Sequence, residues 1–139
     1  MDEAAARQAF ETALQTQRSV FEEFFLARLL GLQFAYENDA CIVRFAVQDF
    51  MFNPQGSLHG GVIATVMDIS MGHLLKHLQG AGTTLEMKTQ YVKAAREGTL
   101  TCTGEVTKLG QGISFLRSTL KDESGELVAF ATATWKRLK

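Results

Sequence analysis

The chain has 139 residues, enough for one ordinary domain and too few for two. Its 46% hydrophobic and 21% charged residues exclude a disordered segment and a membrane-embedded protein alike. A formal net charge of −1 gives no general attraction to nucleic acid or anionic lipid, and no run of about 18 apolar residues offers a membrane span, so neither is expected as a partner.

Cys41 and Cys102 stand far apart, each inside an apolar stretch, and read as small buried hydrophobes rather than a disulfide or a ligand pair. That usage fits a reducing compartment. The first residues, Met1-Asp2-Glu3, lack the basic and apolar regions of a secretory signal, and with Glu11 they are too acidic for a transit peptide. A cytoplasmic protein is the expectation.

Residues 3–18, rich in Ala, Gln and Glu, predict a helix. Ser19, with Glu22 three positions on, predicts the cap of a second helix. It would carry Phe21, Phe24, Phe25 and Leu29 on one stripe and end near Gly31. The hydrophobic period then changes to two. Leu32, Phe34 and Tyr36 alternate up to a turn at Asn38-Asp39, and Cys41, Val43, Phe45 and Val47 continue the pattern in a second strand. Residues 49–58 are irregular and hold the only proline, Pro54. A long apolar helix follows from His59 to about Gln79, ended by Gly80 and Gly82. Four strands complete the chain, Thr83–Lys93, Thr99–Leu109, Ile113–Lys121 and Glu126–Leu138, separated by stretches with turn chemistry. The order predicts an α+β fold, an antiparallel sheet wrapped around one long central helix. Residues 1–31 form an added N-terminal helical segment and residues 32–139 the domain proper.

The chemistry concentrates at the start of the long helix. Gly60 and Gly61 let another group approach the backbone, and the helix-start N–H groups together with the macrodipole favour negative charge. A carbonyl placed against the N–H of Gly60 or Gly61 is polarised as its oxygen becomes an oxyanion. Further along, Asp68 has small or apolar neighbours at helical spacing, Gly61, Ala64, Thr65, Met71, Gly72 and Leu75, with no Lys or Arg to pair it. Such a partly desolvated carboxylate suits a general base or nucleophile. Gly60 and Asp68 are eight residues apart, roughly 12 Å along the axis. If both act on one carbonyl, the helix start of one chain faces Asp68 of a second across a two-fold axis. The small face of Gly61, Ala64 and Gly72 is expected to permit that close approach.

Asn53, followed by His59-Gly60-Gly61 and then Asp68, resembles the motif of the PaaI-like acyl-CoA thioesterases of the hotdog superfamily. The resemblance runs from about Leu29 to Trp135 and includes the strand from Thr83 to Tyr91. It implies an acyl-CoA substrate, a homodimer or dimer-of-dimers tetramer, no cofactor and no metal. It also implies roles. Asp68 is the base or nucleophile, Gly60 N–H polarises the thioester, Asn53 helps hold the water, and His59 orients the loop or bonds near the carbonyl. Thr84 falls where relatives place a hydroxyl that contacts the water or the carboxylate. Gly61 and the Gly110-Gln111-Gly112 turn would border the substrate. Gln111 stands where relatives often carry a basic residue, which weakens phosphate binding there; Lys93, Arg96 and Lys108 either substitute for it or are solvated surface charges. Phe50, Met51 and Phe52, with Phe21, Phe24 and Phe25, suggest an apolar pocket for an aromatic or medium-chain acyl group.

Other readings stay open. A hotdog hydratase or dehydratase would use His59 and Asp68 as acid and base, and a non-catalytic acyl-CoA-binding module would need the shape of the site but not Asp68. His73 and His77 are spaced to share a metal, but no Glu follows His73 as a zinc-protease motif requires. Ser57 lies in no nucleophile-elbow motif.

Overall fold

A computed structural model describes residues 1–139. The element order is α1 (Glu3–Thr16), α2 (Phe25–Leu29), β1 (Gln33–Glu37), β2 (Ala40–Ala46), a 3-10 turn (Asp49–Met51), α3 (Gly60–Leu78), β3 (Gly82–Tyr91), β4 (Thr99–Lys108), β5 (Ile113–Lys121) and β6 (Leu127–Arg137). The six strands form one antiparallel sheet in the order β1-β2-β4-β5-β6-β3. It curves around α3, whose buried residues Val66, Met67, Met71, Leu74 and Leu75 meet Val43, Leu100, Leu116, Leu120 and Val128 in one core. Alternation drives this arrangement: β2 buries Cys41, Val43 and Phe45 while Arg44 and Ala46 face out. Both cysteines are free and buried.

Local chemistry accounts for the boundaries. Asn38 and Asp39 both take positive φ, 50° and 59°, the requirement of a two-residue hairpin whose twist matches its strands. Gly31 (φ 68°) ends α2 in a Schellman motif, with Gly31 N–H bonding Arg28 O and Leu32 N–H bonding Ala27 O. The helix sits close on the sheet because glycines leave room. A Cβ at Gly104 would lie 2.6 Å from Ser70 O, and one at Gly72 would lie 2.7 Å from the Trp135 ring.

Two expectations are corrected. No helix begins at Ser19. Residues 17–24 run as an irregular loop, and between Ser19 and Gly31 only Phe25–Leu29 is helical. The reason is tertiary. Glu22 adopts φ 66° and donates its backbone N–H to His73 Nε2 (3.2 Å), a bond that a regular helix would not allow. The small face of α3 is also not free along its length, because Trp135 of the same chain fills the space at Gly72.

Candidate active site

Asp68 lies in the middle of α3, half-buried, and its Oδ1 accepts a 2.6 Å hydrogen bond from Thr84 Oγ1. A β-bulge makes that meeting. Thr84 pairs with Trp135 and Glu86 with Thr134, so Leu85 is the extra residue and inward-facing parity changes from Thr84 to Met87. The two residues border a cleft of ≈ 260 Å³ whose walls include Phe21, Gly72, His73 and Trp135. No Lys or Arg contacts the carboxylate by ion pairing. One oxygen is therefore fixed by the threonine while the other has no protein donor.

The start of α3 is organised separately. His59 is its N-cap, and Nδ1 accepts the Gly61 N–H at 2.8 Å. Val62 and Ile63 N–H bond His59 O, so the Gly60 N–H is the first-turn donor left without a protein acceptor. The two glycines are thus not equivalent. Gly61 spends its N–H on the cap, and Gly60 keeps its own available. The Gly60 carbonyl accepts from Tyr91 Oη (2.9 Å), and a Cβ at Gly60 would lie 3.2 Å from the Tyr91 ring.

The loop before the helix is a closed Asx structure. Asn53 Oδ1 accepts from Gln55 N–H (3.0 Å) and Ser57 N–H (3.2 Å), and its Nδ2 donates to Ser57 Oγ (3.1 Å). One Nδ2 hydrogen remains. Ser57 is buried in that network. Phe52 forms an isolated bridge with Leu58, and His59 N–H bonds Met51 O, so the loop holds the helix start in place. Met51 is a core residue, and neither Phe50, Met51 nor Phe52 borders the Asp68 cleft. Of the phenylalanines expected to form the acyl pocket, only Phe21 borders this cleft, from the irregular segment of residues 17–24.

Gly110-Gln111-Gly112 joins β4 to β5, two strands across the sheet from Thr84, and does not line the Asp68 cleft. Gly110 N–H bonds Ser114 Oγ, and a Cβ at Gly110 would meet Ile113 O at 2.0 Å, so only glycine fits. Of the cations expected to replace the missing basic residue, Lys93 is committed to Asp122 and Glu126. The pairing acts both ways: Asp122 and Glu126 raise the proton affinity of Lys93, and the Lys93 ammonium in turn holds Asp122 below the usual carboxylate range. The cleft at the turn, ≈ 520 Å³, is instead lined by Lys136, Arg137 and Lys139 with Gln111 and Gly112. The register Ile113↔Lys136 brings them there, a pairing that composition alone does not reveal.

His73 is 5% exposed and serves the core. Its ring stacks on Phe34 (centroids 4.7 Å apart) and meets Phe21 edge-on (4.8 Å), while Nδ1 bonds Ile69 O. Burial lowers its proton affinity, with Glu22 acting in the opposite sense. His77 is exposed and stacks on Tyr36. Each histidine of the pair thus has its own aromatic partner.

One antiparallel sheet wrapped around a single long helix, with an added N-terminal helix, defines a hotdog-fold protein. The thioesterase superfamily profile matches residues 55–129, more than half of the chain, and the chain belongs to that superfamily of thioester hydrolases. Among similar proteins, the medium/long-chain acyl-CoA thioesterase YigI of Escherichia coli (strain K12) is 28% identical over 148 residues, covering 89% of this chain and 95% of YigI. The Bacillus halodurans protein BH2602, solved with CoA, superposes with a TM-score of 0.88 at 23% identity, covering 99% of this chain and 94% of that one. The E. coli PaaI protein from the phenylacetic acid degradation operon gives 0.81 at 20% identity, covering 94% and 96%. These two likenesses establish the fold. No helix is long and apolar enough to cross a membrane.

Proposed function

We propose that the chain hydrolyses acyl-CoA thioesters with a medium-length acyl group to the free acid and CoA. Asp68 is the catalytic carboxylate and Gly60 N–H the oxyanion donor. The observation that carries this reading is the half-buried Asp68, oriented through one oxygen by Thr84 and unpaired with any cation. Its free oxygen takes the proton of a water as that water attacks the thioester carbon. The carbonyl oxygen becomes an oxyanion against Gly60 N–H, strengthened by the dipole of a 19-residue helix. Collapse of the tetrahedral intermediate breaks the C–S bond, and the leaving thiolate takes up the proton that Asp68 had accepted, which restores the carboxylate. The remaining Asn53 Nδ2 hydrogen and the His59 Nε2–H, both without a protein acceptor, would hold the water or the carbonyl.

Gly60 and Asp68 lie roughly 12 Å apart along one straight helix, too far for one carbonyl. The working site therefore takes the helix start from one protomer and Asp68 with Thr84 from another in a homodimer. The free edge of β3, which pairs only with β6 and carries the exposed Leu85, supports pairing with a second copy there. The CoA phosphates fit Lys136, Arg137 and Lys139 beside the Gly110–Gly112 turn. The relative YigI, named for medium- and long-chain acyl-CoA, supports an aliphatic acyl group.

The test is thiol release from butyryl- to tetradecanoyl-CoA and aromatic acyl-CoA esters by wild type and Asp68→Asn. Both cysteines are buried, so a thiol reagent needs only an enzyme blank. The variant is expected to lose about 10²–10⁴-fold in kcat/KM, with its melting temperature and oligomeric state retained. A wild type that binds these esters without cleaving them overturns the reading.

A further inference from the structure

We infer that Phe21 determines acyl-chain length: its ring separates the Asp68 cleft from a second, apolar cleft of the N-terminal segment, and distal carbons enter that second cleft only when the ring moves aside. The inference rests on the proposed role of Asp68.

Two neighbouring clefts share Phe21 and His73 as walls. The first, ≈ 260 Å³, holds Asp68 and Thr84. The second, ≈ 460 Å³, is bordered by Ser19, Val20, Phe21, Phe24 and His73. Small-molecule sites typically measure about 300–1,000 Å³, so the first falls short alone and the two joined fall within that range. Between them the Phe21 and His73 rings are in edge-to-face contact, with centroids 4.8 Å apart. The partition is closed in this conformation.

One side of the partition is fixed and the other is not. His73 is held through both ring nitrogens and stacked on Phe34. The Phe21 backbone is also anchored through Glu22, whose N–H bonds His73 and whose carboxylate accepts the Tyr36 hydroxyl. The Phe21 side chain, by contrast, is 38% exposed, its outer face met by Lys76 with Nζ 5.6 Å from the ring centroid. An exposed ring on a fixed backbone changes rotamer in nanoseconds or less. A short acyl group fits below Phe21. A longer one gains the apolar surface of Val20 and Phe24 by displacing it.

The experiment measures kcat/KM for butyryl-, octanoyl- and dodecanoyl-CoA and reads the dodecanoyl-to-butyryl ratio. Phe21→Ala opens the partition and is expected to raise that ratio about three- to tenfold, the scale of one lost edge-to-face contact. Val20→Trp fills the second cleft from its exposed rim and is expected to lower the ratio by tenfold or more, since each methylene denied burial costs about fourfold. The Trp substitution sits on a half-exposed side chain, so it reports even where Phe21→Ala loosens the segment. A ratio within twofold of wild type in Val20→Trp overturns the inference. Asp68→Asn assayed beside them separates the two readings. Its loss of every chain length with unchanged ratios elsewhere leaves Asp68 in place and removes only Phe21.

Discussion

Two histidines of α3, one at its start and one well inside it, each accept a backbone N–H. His59, exposed at the open start of α3, accepts the Gly61 N–H at Nδ1. His73, buried fourteen positions later, accepts the Glu22 N–H at Nε2. A ring nitrogen that accepts carries no proton, so the two are opposite tautomers. His59 has its Nε2–H left over and directed away from its cap. His73 uses its Nδ1–H on Ile69 O and has nothing left. The same residue type is thus a polar group still available to a substrate in one region and a saturated strut in the other. Availability of the second nitrogen, rather than the presence of a histidine, distinguishes the proposed site from the core.

The contrast between an open helix start and a saturated middle breaks most severely if the open end is displaced. Gly60→Ala puts a Cβ 3.2 Å from the Tyr91 ring, and either the ring or the first turn must move. Alanine suits a helix better than glycine, so stability is expected to change little while the donor shifts. A fall of about 10²-fold in kcat/KM is expected, the worth of one oxyanion donor. Wild-type turnover in this variant would remove Gly60 from the mechanism.

The saturated end gives the next largest effect, and it appears in stability. His73→Phe keeps a ring among Phe21, Phe24 and Phe34 but leaves the Glu22 N–H without an acceptor, a cost of about 1–3 kcal/mol. The pH dependence has a definite sign. Burial places the folded-state pKa of His73 below its ordinary 6.5, against the smaller opposing pull of Glu22 and the Ile69 carbonyl. Above pH 6.5 the ring is neutral in both states and the Glu22 bond is intact. As pH falls below that value the unfolded chain takes up a proton that the folded chain resists, and stability declines. Urea unfolding at pH 8 and pH 5 should therefore show the wild type losing more than His73→Phe, so the gap between them narrows in acid. A constant gap would show that His73 is not the titrating strut.

What the residues disclose in order, and what they do not, follows the same division between local and tertiary causes. The Asn38-Asp39 hairpin, the stop at Gly31 and the start of α3 after His59 are legible because turn and cap chemistry act within a few residues. The pairing of Asp68 with a hydroxyl at Thr84 was visible only as a family resemblance, since it depends on a bulge at Leu85 that no local pattern announces. The loop of residues 17–24 has helical composition and is unwound by a contact 51 positions away. Lys93 read as a free cation until Asp122 and Glu126 came beside it, while Lys136 and Arg137 reached the β4–β5 turn through strand register. Backbone chemistry near its cause was readable. Side chains brought together by the sheet were not.

The smallest effect tests whether His59 uses its spare nitrogen at all. His59→Ala removes both the cap and the Nε2–H, and the lost cap should cost about 1 kcal/mol in unfolding free energy. His59→Asn restores a capping acceptor, since asparagine ranks among the best N-caps, but supplies no donor where the imidazole Nε2–H stood. Stability should therefore return in Asn while turnover stays depressed about tenfold in both, the order of one hydrogen bond to a developing charge. If Asn restores turnover together with stability, His59 is a cap and nothing more. The two histidines of α3 would then both be struts, and the polarising work at the helix start would fall to the Gly60 N–H alone.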